Sequence, residues 1–337
     1  MFQTRAVSVM MLSAVVCTAQ STKPAQTKWF RFSKAFIGSA FSADSAFGRL
    51  GARSWSPGPI HKIGCGGDDG EIHVGIPSDG IILPEGQNGP VSTPVKDDSE
   101  AFGIVAEPPN ATSSTKSMIA READEIEFQG YYRVWNEGHD VGKDAPSNPH
   151  HVLELHPAWS FQVEGQQYGS PTAVHSMQGY HGYGVSKYGR LLSSLATNQW
   201  LRVAEDADYV YVQLIKADNF YQLPVAVKEE HSITQGKELQ VDVYSEGTQS
   251  RLVYSDLAVV VADGTGIAAK IAPDQSTFLL GFFSVNLRKA MDAASGHEGT
   301  EASVFAPQTL EFFAFGVPLG KSVPKASACK DLEDDDQ

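Results

Sequence analysis

Short runs in which apolar and polar residues alternate recur along much of the chain. This period of two restricts the fold to one built mainly from half-buried β-strands. In the stretch DEIEFQGYYRVW, Ile126, Phe128 and Val134 point to one face, while Glu127 and Arg133 point to the other. Alternation of this kind is typical of strands that cover a core with one face. The sequence therefore predicts a mainly β protein.

The strand-like runs fall into two blocks. In residues 60–165, four or five short strands joined by irregular loops predict a small barrel like that of an OB fold. In residues 200–320, longer runs at regular intervals predict a second, β-sandwich-like domain. Residues 166–199 are rich in glycine, tyrosine and histidine and are expected to be a linker or long loop. One stretch of the second block, NLRKAMDAASG, has the apolar spacing of a helix.

The two ends of the chain are expected to lie outside these domains. Residues 1–19 carry one positive charge, a twelve-residue apolar run and then small residues, which is the order of a secretory signal peptide. A buried N-terminal helix is the alternative. Residues 20–59 form an N-terminal segment without a clear pattern, and residues 321–337 form an acidic tail expected to be disordered. The sequence thus predicts a secreted or periplasmic protein.

The charge and the cysteines narrow the choice of partners. The net charge of −14 disfavours binding to the phosphates of nucleic acid. No run after the signal peptide reaches the roughly 18 apolar residues of a membrane helix, so membrane insertion is not expected. Cys65 and Cys329 could form one disulfide in an oxidising compartment, or remain unpaired. The expected partner is an unidentified extracellular or periplasmic ligand.

The run HHVLELHP suggests a polar site next to the core. Its alternation places Leu153 and Leu155 on one face, which must be buried. Glu154 and His156 then share the other face and point outward or into a cleft. The two side chains stand about 7 Å apart along an extended strand, so they could bind one metal ion together with a third ligand.

A second run, GEIHVGI, repeats this arrangement with Glu71 and His73 on its polar face. If the two strands are neighbours, the four polar side chains gather within a few ångströms. The sequence then predicts a site for a divalent metal ion formed by Glu71, His73, Glu154 and His156. The alternative is an ordinary solvated strand face with no cofactor.

The first block resembles a group of uncharacterised bacterial secreted proteins over residues 60–165. The likeness rests on Asp69-Gly70-Glu71-Ile72-His73, on Glu107-Pro108 and on the run His151–Pro157, in that order and spacing. These match an Asp-Gly-x-x-His strand, a Glu-x-Pro segment and a His-x-x-Glu-Leu-His-Pro strand. The resemblance implies a domain with a polar site and no particular reaction. The C-terminal half resembles no family that we can name.

Two classes of function fit these features. The first is a binding or structural module without catalysis, whose surface contacts a glycan, a peptide or a partner protein. Trp135, Tyr131 and His139 are its candidate ligand-binding residues, although the aromatic side chains could instead cover the edge of the core. The second is a metal-assisted hydrolase that uses the His/Glu site. No known catalytic motif is present, which favours the first class and leaves the catalytic residues unknown.

Overall fold

A computed structural model describes most of the chain between residues 27 and 316. The described residues are 27–41, 46–52, 57–58, 60, 71–77, 82–85, 103–109, 111–121, 126–136, 151–163, 166–169, 185–218, 220–245, 251–271, 273–274 and 276–316. The predicted signal peptide and acidic tail lie outside these residues, as do Cys65, Cys329 and His139.

Strands predominate among the described elements. In chain order the elements are β1 (Thr27–Ser33), α1 (Lys34–Ala40), β2 (Phe47–Ala52), β3 (Val74–Pro77), β4 (Ile82–Glu85), β5 (Gly103–Ala106), α2 (Ser113–Arg121), β6 (Ile126–Val134), β7 (Leu153–Leu155), β8 (Ser160–Val163), β9 (Gln166–Gly169), α3 (Val185–Asn198), β10 (Arg202–Glu205), β11 (Tyr209–Ile215), β12 (Tyr221–Ile233), β13 (Gly236–Tyr244), β14 (Leu252–Ala262), β15 (Ser276–Val285), α4 (Leu287–Ala294), β16 (Val304–Phe305) and β17 (Leu310–Gly316). The prediction of a mainly β protein is confirmed.

Strands from both halves of the sequence form one open sheet, in the order β16–β10–β11–β1–β4. β1 and β11 pair antiparallel over seven residues, from Thr27–Ile215 to Ser33–Tyr209. Phe30 and Phe32 of β1 are fully buried, because the alternation of the strand turns them toward the core. The N-terminal segment thus contributes a central strand of this sheet.

A second open sheet holds most of the first block, in the order β3–β5–β7–β6–β8–β9, with β2 also paired to β6. β5 and β7 run parallel, and the other pairs are antiparallel. The predicted OB-like barrel is therefore wrong for this region. Within the described residues the outer strands β3 and β9 do not pair with each other, and β4 pairs with β1 in the other sheet.

The closed barrel lies in the second block, where a sandwich was expected. Its strands follow the order β12–β13–β14–β17–β15, and β15 pairs with β12 to close the ring. β14 and β17 pair in parallel, which joins the last strand to the hairpin of β13 and β14. The prediction of strands was correct, but their closure into a barrel depends on long-range pairings that alternation does not reveal.

Helix α4 packs against β10 and β11 of the first open sheet, and α3 packs against the barrel. The predicted helix is α4, in which Leu287, Ala290 and Ala294 are buried. The side chain of Asn286 accepts a hydrogen bond from the Lys289 N–H at 3.0 Å. The predicted linker contains the 14-residue α3, which packs against β12 and β14. No described helix is long and apolar enough to cross a membrane.

The hydrophobic core crosses the predicted domain boundary. One cluster of buried side chains extends from Phe30 in β1 to Ala314 in β17 and includes residues of both open sheets and of the barrel. The division into two domains near residues 165–200 stays a prediction. The shared core and the pairing of β1 with β11 nevertheless hold the two halves together.

Candidate metal site

A bulge in the strand opposite β6 positions one of the predicted site residues. β7 and β8 pair with β6 on either side of the bulge, so that residues 156–159 face only Gly130 and Tyr131. The His156 N–H donates to the Tyr131 carbonyl at 3.0 Å, and the Tyr131 N–H donates to the Pro157 carbonyl at 3.3 Å. A side chain at Gly130 would overlap the Pro157 carbonyl and approach the Ala158 Cα to 2.9 Å, so the bulge requires glycine here.

Glu107 lies between the two predicted site strands. β5, which ends one residue before it, pairs with β3 on one side and with β7 on the other. The Glu107 N–H donates to the Leu155 carbonyl, and the Ala158 N–H donates to the Glu107 carbonyl, each at 3.0 Å. The strands next to His73 and His156 are thus not direct neighbours, so the condition attached to the predicted four-residue site is not met. Glu107 fills the space between their polar side chains.

Three side chains form what we call the outer group: Glu71, His73 and Glu107. The His73 Nε2 atom lies 3.1 Å from Glu71 Oε1 and 3.5 Å from Glu107 Oε1. His73 is the most accessible member, with 16% of its side chain exposed, whereas Glu71 and Glu107 are buried. One donor atom from each residue lies within 4.8 Å of the other two, which is close enough for them to hold one metal ion.

Glu107 also belongs to a deeper set, the inner group, together with Glu154 and His156. The His156 Nδ1 atom contacts Glu107 Oε2 and lies 3.4 Å from Glu154 Oε2. One donor atom from each residue again lies within 4.8 Å of the others. All three residues are buried, and His156 is only 1% exposed. The two groups therefore share Glu107 and differ in their access to solvent.

A buried arginine and a further histidine support the inner group. Arg133 Nη1 lies 3.1 Å from Glu154 Oε2, and His151 Nε2 lies 3.0 Å from Glu154 Oε1. Burial by itself would raise the pKa of Glu154. The charge of Arg133 and hydrogen bonds from His151 and His156 instead hold that pKa well below its ordinary value. Glu154 is consequently an anionic carboxylate at neutral pH.

The structure brings all four predicted metal ligands together, but in a different setting. Leu153 and Leu155 are fully buried, as predicted. Glu154 and His156 were expected on an outward or cleft-facing side, yet both are buried. The rings of Phe220, which directly precedes β12, and of the barrel residue Phe282 pack against the His156 ring, with centroid distances of 5.7 and 5.0 Å. A direct contact also joins the predicted pair Glu71 and His73 to the predicted pair Glu154 and His156, since His156 Nε2 lies 3.8 Å from Glu71 Oε2.

Three residues of the cluster were not among the predicted ligands: Glu107, Arg133 and His151. The sequence did offer a signal for Glu107, since its Glu-Pro pair follows a strand-like run directly. Strict alternation along HHVLELHP would place His151 on the same face as Leu153. β7 begins only at Leu153, however, so the period of two does not extend back to His151 and its ring reaches Glu154.

The predicted aromatic ligand-binding residues form part of the core. Tyr131 is fully buried and its hydroxyl donates to Glu311 Oε1 at 2.7 Å. Trp135 is also buried, and its indole N–H donates to the Asp218 carbonyl at 3.1 Å. Neither side chain offers a surface to a ligand in this structure, which agrees with the alternative that they cover the core. The third candidate, His139, lies outside the described residues.

Comparison with known proteins adds no further assignment. No family model matches the chain, and no curated protein matches it significantly.

Proposed function

We propose that the protein binds a divalent metal ion, and that the outer group is the site from which this ion acts. The observation that carries the proposal is the spacing of the donor atoms around His73, at 3.1 and 3.5 Å. Two ligands of a tetrahedral zinc ion, each about 2.0 to 2.1 Å from the metal, stand about 3.3 Å apart. The three side chains thus lie near ligand positions before any ion is bound.

The charge of the cluster supports the same proposal. Within the described residues and the contacts given above, Arg133 brings one permanent positive charge against the carboxylates of Glu71, Glu107 and Glu154. Burying carboxylates together costs several kcal/mol unless positive charge compensates them. A divalent ion supplies that charge and leaves the imidazoles neutral, as metal ligation requires. The alternative is that protonated histidines supply the positive charge that compensates the carboxylates.

The donor set also indicates the class of ion. Imidazole nitrogens and carboxylate oxygens suit zinc and other first-row divalent ions, whereas magnesium and calcium prefer oxygen ligands alone. The part-exposed position of His73 would leave a coordination place open to a molecule from solution. We therefore propose a transition-metal site with room for an exogenous ligand.

This proposal refines the expected binding module, since a metal replaces the aromatic surface as the ligand-contacting element. Export from the cytoplasm remains part of the proposal, and the outer group would take up its ion outside the cell. The experiment is equilibrium dialysis of the purified protein against Zn²⁺, followed by metal analysis. We expect His73→Ala to reduce the zinc affinity at least tenfold by removing the nitrogen ligand of the outer group.

His231→Ala is the matched control, because His231 and Glu229 form an exposed pair whose Nε2 and Oε2 atoms lie 3.4 Å apart, in the same range as the outer group. This change should leave zinc binding unaltered. Equal binding by the wild type and His73→Ala would refute the assignment of the outer group. Absence of bound zinc in the wild type would refute metal binding altogether and favour protonated histidines.

Metal-assisted hydrolysis is the second candidate function. It is favoured by the one observation that the outer group is partly exposed, since a catalytic zinc ion keeps an open place for water and lowers the pKa of that water to about 7. Release of p-nitrophenol from carboxyl and phosphate esters by the zinc-loaded protein tests this candidate. Activity that disappears in His73→Ala and persists in His231→Ala would support it; equal rates in both would reject it.

A further inference from the structure

We infer that the cluster binds two metal ions at once, with the carboxylate of Glu107 as the bridge between an outer and an inner ion. The inference rests on the proposed function, because it assumes that the outer group holds a metal ion. It adds a second ion, names the bridging residue and assigns different roles to the two positions.

The two oxygens of Glu107 face different imidazoles. Oε1 lies 3.5 Å from His73 Nε2, whereas Oε2 contacts His156 Nδ1. Each imidazole has a further carboxylate beside it, Glu71 for His73 and Glu154 for His156, at 3.1 and 3.4 Å. Each side of Glu107 thus presents one nitrogen and one further carboxylate, so the two sides repeat the same donor set.

The main chain fixes Glu107 in this central position. Hydrogen bonds join its N–H to Leu155 and its carbonyl to Ala158, on both sides of His156. On the other edge, the Ile72 N–H donates to the Pro108 carbonyl at 3.2 Å, which ties the strand of His73 to the same segment. Ions that share one carboxylate commonly lie about 3.5 to 4 Å apart. The fixed backbone would hold both ligand sets at the distance that such a pair requires.

The two metal positions differ in burial, so the ions bound there should exchange with the solution at different rates. Glu107, Glu154 and His156 are at most 5% exposed, while the side chain of His73 is 16% exposed. Closed sites hold structural ions and open sites hold ions that meet substrate. The inner ion would fix the bulge at residues 156–159 against β5, and the outer ion would exchange and bind molecules from solution.

A second ion would leave the cluster with excess positive charge. Three carboxylates do not offset two divalent ions and Arg133, so an anion or hydroxide from solution has to complete the balance. The part-exposed side of the outer group is where such an anion would enter. The two-ion form should consequently bind inorganic phosphate, and the metal-free protein should not.

Titration of the metal-free protein with Zn²⁺ tests the number of ions. We expect two equivalents to bind the wild type and one to bind His73→Ala, which removes the nitrogen ligand of the outer group and leaves the three side chains of the inner group in place. His231→Ala should retain two. One equivalent in the wild type would overturn the second ion while leaving the proposed function intact, and none would overturn both.

The bridge needs a measurement of its own, because two ions could bind separately. In the Co²⁺-loaded wild type, magnetic coupling through Glu107 should reduce the paramagnetic resonance intensity per cobalt when the second equivalent binds. His73→Ala, with one ion, should keep the full intensity per cobalt. Full intensity per cobalt in a wild type that holds two ions would contradict the bridge.

Discussion

Glu154 shows how the surroundings of a single residue decide its chemistry. The same alternation that buries Leu153 and Leu155 was expected to expose Glu154, yet the carboxylate is buried between Arg133 and His151. Sequence alternation records which way a side chain points but not what covers it. A second layer, here the barrel side chain Phe282 beside Arg133, turns a polar strand face into a buried one.

Glu154→Gln should destabilise the fold strongly. The change removes the negative charge that compensates Arg133, and breaking a buried ion pair costs about 3 to 5 kcal/mol. Urea titration of the metal-free protein measures this loss in the free energy of unfolding. Glu229→Gln, at a carboxylate that is 67% exposed, should change it by less than about 0.5 kcal/mol. Equal effects of the two changes would contradict the buried pair.

Glu311, which is not a member of the metal cluster, should make the free energy of unfolding depend on pH. Its carboxylate is buried and accepts hydrogen bonds from the Tyr131 hydroxyl and the Asn286 side-chain amide, yet burial still raises its pKa. Because the pKa is higher in the folded than in the unfolded protein, the folded state binds this proton more tightly. The contribution of Glu311 to the free energy of unfolding is therefore complete at pH values below its pKa in the unfolded protein. This contribution is lost as the pH rises through its pKa in the folded protein.

Glu311→Gln should remove this pH dependence. As the pH rises from about 4 to 8, the free energy of unfolding of the wild type should fall relative to that of the variant. Urea titrations at several pH values measure the difference, in which the contributions of other groups cancel. A constant difference across this range would show that the pKa of Glu311 is the same in the folded and unfolded states.

Among the secondary-structure elements, the bulge at residues 156–159 is the feature that sequence alternation did not predict. The pattern located β6 and β7 and the apolar face of each, and it found α4 from its apolar spacing. The bulge, however, depends on the pairing of both β7 and β8 with β6. His156 lies at the start of the bulge, so its position depends on this pairing, and the hydrogen bond from its N–H to the Tyr131 carbonyl fixes it there.

Gly130→Ala should disturb this bulge and, with it, the metal cluster. The added methyl group would overlap the backbone at Pro157 and Ala158, which cannot yield as a flexible side chain can. We expect a loss of about 1 to 3 kcal/mol in the free energy of unfolding and weaker zinc binding.

The control is Gly189→Ala in α3, where nothing lies within 4 Å of the added methyl group. That change should stabilise the protein by about 0.5 to 1 kcal/mol, because alanine favours a helix interior more than glycine. A stabilising effect of Gly130→Ala would contradict the close contact between residue 130 and the backbone of Pro157 and Ala158.

At the scale of the whole molecule, the sequence indicated the fold class but not the arrangement of the sheets. The barrel was expected in residues 60–165 and lies in the second block. The parallel pairing of β14 with β17, which completes the ring, joins segments about 50 residues apart. Such pairings leave no periodic signal, and the same is true of β1, whose partner β11 lies far along the chain.

The shared core predicts that the two halves stay together after cleavage. A protease site inserted between β9 and α3 should yield two fragments that co-elute in size-exclusion chromatography under native conditions. The reason is the seven-residue pairing of β1 with β11 and the common core. In concentrated urea the fragments should separate. Separation under native conditions would instead support two independent domains.

The central claim, that a metal ion binds at Glu107, is tested most directly by anomalous X-ray scattering at the zinc edge from crystals grown with Zn²⁺. We predict an anomalous peak about 2.0 to 2.2 Å from Glu107 Oε1 and His73 Nε2, and a second about 3.5 to 4 Å away beside Glu107 Oε2. Zinc peaks elsewhere on the protein, with none within about 3 Å of Glu107, would contradict the claim.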